Sequence, residues 1–170
     1  MIDHYKMFAA YNNWANRTVY QAAADLRPEQ LDADSGVFFG SVIGTLNHLL
    51  VTDRIWLKRF TGSGEAPDTL DARLFDDLAS LAAARETEDQ RIISWIDSLS
   101  EAQIAAPFHY RSISKPIPVT QKLGPALAHL FNHQTHHRGH VHASLTGFGK
   151  PSICLDMIYF QRQPEGIAWA

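Results

Sequence analysis

The chain has 170 residues and a formal charge of −3; 45% of its residues are hydrophobic and 19% are charged. These proportions are ordinary for a single folded domain, which we place at residues 1–170, and they exclude intrinsic disorder. Because no run of lysine and arginine is present to neutralise phosphates, we expect no binding to nucleic acid.

Apolar residues recur at intervals of three and four in the first two predicted helices. The first covers about residues 4–25, with Asp3 as the expected N-cap and Pro28 shortly after its end. The second starts behind Ser41 and ends at Gly62, where a left-handed C-terminal residue is expected. Both patterns predict helices that bury one face.

The next segments are less regular. A third helix is predicted over residues 71–98, although its centre, residues 85–91, is almost wholly polar. Residues 103–121 contain three prolines and partial alternation of apolar and polar residues, which predicts an extended loop or a weak hairpin.

A fourth long helix is predicted to open with Pro125 in its first turn and to run to Leu145, ahead of two glycines. A short fifth element is expected around residues 154–162. Four amphipathic segments of this length have one economical packing solution, with their apolar faces turned inward. The predicted fold class is therefore all-α, an antiparallel four-helix bundle with an irregular segment before the last long helix and a short C-terminal element.

Histidine is concentrated in the fourth helix. The chain has nine histidines, and five fall within twelve positions of that helix: His129, His133, His136, His137 and His140. Residues four apart on a helix have Cβ atoms roughly 5–6 Å apart, so two imidazoles at this spacing can bind one cation. A helical wheel places the His133 and His137 pair nearest the apolar face. The other three are expected at the surface or at a subunit interface.

A third ligand must come from another helix, because two histidines alone make a weak metal site. His48 is the sole histidine of the second helix, at the margin of its apolar face. His4 and His109 belong to a terminus and to the irregular segment, where a fixed geometry is harder to maintain. The residues thus predict a site formed by His48, His133 and His137, with a solvated histidine-rich face as the alternative.

Three runs of sequence together resemble the DinB/YfiT superfamily: YNNWAN from Tyr11, NHLLVTDRIW from Asn47, and HLFNHQTHHRGH from His129. The resemblance extends over nearly the whole chain, in the same order. It implies a four-helix bundle that binds a divalent metal ion through His48, His133 and His137.

Three imidazoles and an open position are typical of a catalytic zinc site rather than a structural one. Zinc is the first choice of metal, and nickel, iron or manganese are alternatives. The resemblance implies an enzyme that acts on a small-molecule substrate with a low-molecular-weight thiol as cosubstrate. A metal-dependent hydrolase and a non-catalytic, metal-braced binding module are the alternatives.

Asp53 and Arg138 are the candidate catalytic residues beside the ligands. Asp53 lies in the apolar stripe of the second helix, so we expect it to pair with a buried donor, for which residues 12–16 are candidates, or to act as a base. Arg138 is expected either to anchor an anionic substrate or to lie on a solvated face of its helix.

Cys154 is the single cysteine, which suits a reducing compartment, and is expected to be a packed thiol. The first residues lack the charged-then-apolar order of a signal peptide, and no apolar run approaches the roughly 18 residues of a membrane span. We therefore expect a cytoplasmic protein without a membrane partner, and a homodimer.

Overall fold

A computed structural model describes residues 1–113 and 115–170 of the protein. Its elements, in chain order, are α1 (Ile2–Ala23), α2 (Pro28–Asp32), α3 (Val42–Thr61), α4 (Leu78–Asp97), α5 (Glu101–Ala105), β1 (Pro107–Arg111), β2 (Pro118–Lys122), α6 (Leu123–Gly147), α7 (Met157–Phe160) and a final 3-10 turn (Ile167–Trp169). The protein is mostly helical, as the sequence predicts.

The four long helices pack in a closed ring. Both α1 and α3 contact α4 and α6, and these contacts link all four helices around a shared interior. Two apolar clusters fill the two ends of this interior, one around Trp56, Ile92 and Leu127 and the other around Leu46 and Val141. Between them, at the middle of each long helix, lie buried polar residues: Asn12, Asn16, His48, Asp53, Arg85, Asp89, Gln134, His137 and Arg138. The interior therefore has a polar middle layer.

Local signals fix the ends of α3. The backbone N–H of Gly44 donates to the Ser41 hydroxyl oxygen at 3.1 Å, which satisfies one of the free donors of the first turn. Gly62 follows the helix with φ of 70°, a left-handed conformation that glycine adopts without steric penalty. Both predicted ends are confirmed. In contrast, α1 begins at Ile2, so Asp3 lies in its first turn and is not the N-cap.

The third predicted helix is shorter than its sequence pattern indicates. Residues 71–77 are not helical, because Asp77 caps α4 by accepting a hydrogen bond from the Ser80 N–H at 2.8 Å. The side-chain oxygen of Asn47 accepts hydrogen bonds from the backbone N–H groups of Leu74 and Phe75 at 2.8 and 3.1 Å. A side chain from α3 thus holds the segment before α4 as a loop.

The predicted irregular segment contains a short helix, α5, and a two-stranded antiparallel hairpin. Pro107 pairs with Lys122 and Tyr110 with Val119, so the hairpin alternative is confirmed. Ser114, within the same predicted segment, lies outside the described residues. The Tyr110 ring meets the Trp56 ring edge to face at a centroid distance of 5.1 Å, which packs the hairpin against α3.

The last long helix, α6, begins two residues before Pro125 and ends at Gly147. The expected short C-terminal element is α7. Within the described ranges, no helix combines the length and the apolar character needed to cross a membrane.

Candidate metal centre

Three histidines from two helices meet at the polar middle layer. His133 and His137 lie one turn apart on α6, and their ring centroids are 4.4 Å apart. The His48 ring, from α3, lies 5.0 and 4.6 Å from these two rings. One ring nitrogen of each histidine lies within 4.8 Å of a ring nitrogen of the other two. The structure therefore brings together the three histidines that the sequence predicts as metal ligands.

The orientation of His48 is set by a backbone carbonyl. Its Nδ1 lies 2.7 Å from the oxygen of Leu70, and a carbonyl oxygen can only accept, so Nδ1 carries the proton and donates. In a neutral imidazole this leaves a lone pair on Nε2, which lies 3.2 Å from Nε2 of His133. Such a hydrogen bond on the far nitrogen is the usual partner of a metal-binding histidine, because it fixes both tautomer and ring orientation.

An aromatic ring covers one side of the three histidines. Phe39 stacks on His48 at a centroid distance of 3.7 Å and an angle of 19°, and meets the edge of His137 at 5.5 Å. Phe39 belongs to a tight turn closed by a bridge between Val37 and Gly40, whose φ of 75° is left-handed. The turn places an apolar ring over two of the three imidazoles and shields them from water.

The surroundings keep all three histidines neutral. Burial lowers the pKa of His48. Burial, together with the repulsion of nearby histidines, lowers the pKa of both His133 and His137 to about 3. Neutral imidazole is the form that binds a metal ion, so no proton has to leave these rings at neutral pH.

One ring nitrogen of the three-histidine site is buried without a partner in the part of the chain that the structure describes. Among the described residues, no hydrogen-bond partner is found for Nδ1 of His137, although the side chain is buried. A buried polar atom without a partner destabilises a fold by about 1–3 kcal/mol. Three neutral imidazoles this close together fit a divalent transition metal ion, which all three could bind at once.

The remaining histidines of α6 lie further out, as the helical wheel predicts. His129 and His136 are exposed and His140 is half-buried, whereas His137 is buried. His133 is half-buried, so the side of the three-histidine site that carries His133 is the one closest to solvent. His129 lies on that side, 5.9 Å from His133 and 5.2 Å from Trp56 between ring centroids.

Asp53 does not pair with α1, so that part of the prediction is wrong. Its carboxylate lies 2.7 Å from the Arg85 guanidinium, which comes from α4. Asn12 and Asn16 instead donate to Asp89 at 3.2 and 3.0 Å. Burial raises the pKa of Asp53 to about 6, against the opposing effect of the positive charge on Arg85. Asp53 is thus one member of a buried ion-pair network.

Arg138 is also buried and hydrogen-bonded within the interior. It is 1% exposed, and its Nη1 donates to the side-chain oxygens of Asn12 and Asn16, at 3.1 Å for Asn16. A guanidinium engaged in this way does not offer a free fork to a substrate carboxylate, so the structure favours a role in packing over substrate anchoring. Asp53 and Arg138 therefore belong to the buried polar layer that contains the three histidines, and both have charged or polar partners within the chain.

Arg85, Asp89 and the Leu70 carbonyl are site-supporting groups that sequence reasoning missed. A signal for the first two was present, since Leu81, Arg85 and Ile92 follow a helical stripe and Asp89 lies four residues after Arg85. Three residues of the polar centre of the third predicted helix are thus buried: Arg85, Glu88 and Asp89. The carbonyl of Leu70 left no signal, because any residue has one.

Cys154 is exposed, so the expectation of a packed thiol is wrong. An apolar groove of about 430 Å³ lies between α1, the other face of α6 and the C-terminal segment, where Phe8, Phe131 and Met157 line it. None of the three histidines is among the described residues that line this groove. The groove and the three-histidine site are therefore separate features.

Comparison with known proteins places the chain in a family. A sequence model of the DinB family matches residues 1–166, a range that contains α1 to α7 and all three histidines. The chain is also similar to the protein DinB of Bacillus subtilis (strain 168), with 27% identity over 154 residues that cover 86% of this chain and 87% of that protein. The resemblance seen in the sequence is confirmed.

Proposed function

The chain belongs to the DinB family, and from this premise we propose that it is a metalloenzyme in which His48, His133 and His137 bind one divalent transition metal ion and leave a position open for a substrate. One observation carries the proposal. The proton on Nδ1 of His48 is held by the Leu70 carbonyl, so that its Nε2 lone pair faces His133. Two ring nitrogens from different helices at 3.2 Å can share either a proton or a cation, and only the cation would also use the His137 ring beside them.

Three imidazole ligands favour zinc, and they can also bind nickel, iron or manganese. When bound, such an ion supplies Lewis-acid chemistry, which lowers the pKa of a water or thiol at the open position. The protein residues hold the donors in place: Leu70 orients His48, and Phe39 excludes water from the face formed by His48 and His137. Within this proposal the closed ring of helices is an antiparallel bundle with the site in its middle layer.

We propose that the reaction is a transfer in which a low-molecular-weight thiol attacks a small electrophilic substrate. The substrate approaches on the side of His133, which is half-buried while His48 and His137 are buried. Trp56 and His129 border this side, so the substrate meets one aromatic and one imidazole ring there. The thiol sulfur forms the new bond to the substrate, the thiol proton passes to solvent, and the leaving group of the substrate departs with the electrons of the broken bond.

The test starts with metal analysis of protein purified without a histidine tag, followed by thiol-transfer assays with several thiols and electrophiles. We expect about one metal ion in the three-histidine site per chain, and turnover that chelation abolishes. His137→Ala should abolish turnover while the helical circular dichroism signal remains. His142→Ala is a matched control, because His142 also lies on α6 but hydrogen-bonds the Ser152 hydroxyl at 2.9 Å and is not one of the three ligands. This variant should keep full turnover.

Two outcomes would contradict the proposal. Metal-free protein with no affinity for zinc or nickel would remove the site. Protein that binds metal but shows no metal-dependent turnover, and unfolds when His137 is replaced, would be a metal-braced module, because structural metal binding contributes to the free energy of folding.

A homodimer stays a prediction of this proposal, and so does the lack of nucleic-acid binding. Light scattering should give twice the chain mass.

A further inference from the structure

A second group of histidines lies on the outer side of His137. His136 and His140 are one turn apart on α6, with ring centroids 4.5 Å apart. Their rings lie 4.8 and 5.1 Å from the ring of His137. One nitrogen of each of these three residues lies within 4.8 Å of a nitrogen of the other two, as is also true of the inner group. The geometry of a three-imidazole metal site is thus present twice.

The outer histidines lack the partners that would explain them as structural residues. Nδ1 of His140 is buried, and no described residue hydrogen-bonds to it. Neither His136 nor His140 forms an ion pair in the described part of the chain. By contrast, His109 and His142 each hydrogen-bond a hydroxyl group, at 2.9 Å in both cases. Lone pairs on clustered imidazoles remain available to a cation.

We propose that His136, His140 and His137 form an outer site that binds a divalent transition metal ion from solvent and passes it to the inner site of His48, His133 and His137. His136 is exposed and His140 is half-buried, so a hydrated ion reaches them first. The inner half of this proposal rests on the proposed function, whereas the outer site stands on its own geometry. Imidazole donors select zinc, nickel or copper over magnesium or calcium.

The transfer uses His137, which belongs to both groups. The inner histidines are shielded by Phe39, and a bare ion would lose its hydration energy on the way in unless ligands replace its waters one at a time. His137 lies within 5.1 Å, between ring centroids, of His48, His133, His136 and His140. An ion can therefore leave the outer pair and gain the inner pair while it remains in contact with this ring.

The outer site is tested alone in the double variant His48→Ala/His133→Ala, which removes two inner ligands. Titration with nickel, followed by calorimetry and by competition with a chromogenic chelator, should give one ion per chain. Adding His136→Ala and His140→Ala should weaken nickel binding by more than roughly tenfold, since even indirect partners of a metal change affinity by 10- to 100-fold. His142→Ala in the same background should leave it unchanged.

Absence of nickel binding in the His48→Ala/His133→Ala variant, with the fold intact by circular dichroism, would overturn the outer site. If that variant does not fold, zinc-loaded wild-type protein provides a second test. Zinc then occupies His137, so a weaker nickel equivalent bound by His136 and His140 alone is expected, and it should disappear in His136→Ala/His140→Ala. Failure of the proposed function would give a different result: wild-type protein would not bind a first metal ion tightly at the inner site.

The transfer step has its own measurement. Zinc is supplied from a chelator complex, and filling of the inner site is followed over time in wild-type protein and in His136→Ala/His140→Ala. We expect slower filling in the variant with an unchanged final affinity of the inner site. Equal filling rates would overturn the transfer, and a weakened inner site would show that the outer histidines act on its structure instead.

Discussion

Two groups of buried polar side chains share the middle layer, and they differ in the partners that their polar atoms have within the chain. In the ion-pair network, carboxylates face guanidinium groups: Asp53 and Asp89 lie 2.7 and 3.0 Å from Arg85. In the three-histidine site, groups of one kind face each other, and their nitrogens cannot satisfy one another fully. A buried cluster with both charges compensates its charge within the chain, whereas a buried cluster of imidazoles alone offers lone pairs that a cation from outside can use.

The largest expected effect comes from removing the central cation of the ion-pair network. Arg85→Ala leaves Asp53 and Asp89 buried without their cation, and removing one partner of a buried ion pair costs about 3–5 kcal/mol. Urea denaturation should show this loss in the free energy of unfolding. Arg54→Ala is the control, because Arg54 is more exposed than Arg85 and its ion pair with Glu88 is longer, at 3.7 Å. This substitution should lower the free energy of unfolding by less than about 1 kcal/mol. Equal effects of the two changes would mean that the network does not stabilise the fold.

The next largest effect comes from adding zinc to the three-histidine site. Free zinc at a hundred times its dissociation constant should raise the free energy of unfolding by about 2.7 kcal/mol. His137→Ala should lose most of this increase, because it removes the ring shared by all the neighbouring imidazoles, while His142→Ala should keep it. Thermal denaturation with and without zinc measures both. A zinc effect that survives His137→Ala would place the ion elsewhere.

A smaller effect acts on the orientation of one ligand. Asn47 holds the loop after α3 through Leu74 and Phe75, and the same loop supplies the Leu70 carbonyl to His48. Asn47→Ala should weaken zinc binding by roughly 10- to 100-fold, the usual result of losing support behind a ligand. Competition with a chelator measures the change.

The control for this prediction is Asn132→Ala, since Asn132 also neighbours a ligand in sequence but is exposed. It should bind zinc as wild-type protein does. If Asn47→Ala kept full affinity with a folded chain, the loop would not orient His48.

The smallest effect separates two neighbouring aromatic residues. Phe39→Ala removes a ring stacked on His48 and should cost about 0.5–1.5 kcal/mol. Phe38→Ala removes a ring that is 85% exposed and should change stability by less than about 0.5 kcal/mol. Chemical denaturation of both variants makes the comparison, and a reversed order would show that the stacking does not stabilise the turn.

The main errors of sequence reasoning concern contacts between distant parts of the chain. The pattern of residues 71–98 continues a helical period, yet the side chain of Asn47 captures the backbone at Leu74 and the helix starts only at Leu78. The sequence correctly predicts that Asp53 needs a buried partner, but that partner, Arg85, lies 32 residues further along the chain, in a stretch whose residues are mostly polar. A one-dimensional pattern shows that a charge must be compensated and does not show by which residue.

The sequence by itself determined what depends on neighbours within a turn or two: the ends of α3 at Ser41 and Gly62, and the common face of His133 and His137. These follow from backbone geometry and from the 3.6-residue period of the helix. Only the tertiary structure decided that the Leu70 carbonyl takes the His48 proton and that Phe39 covers its ring. Both contacts depend on where loops meet the packed helices, and that position is set by the balance of many distant contacts rather than by any local preference.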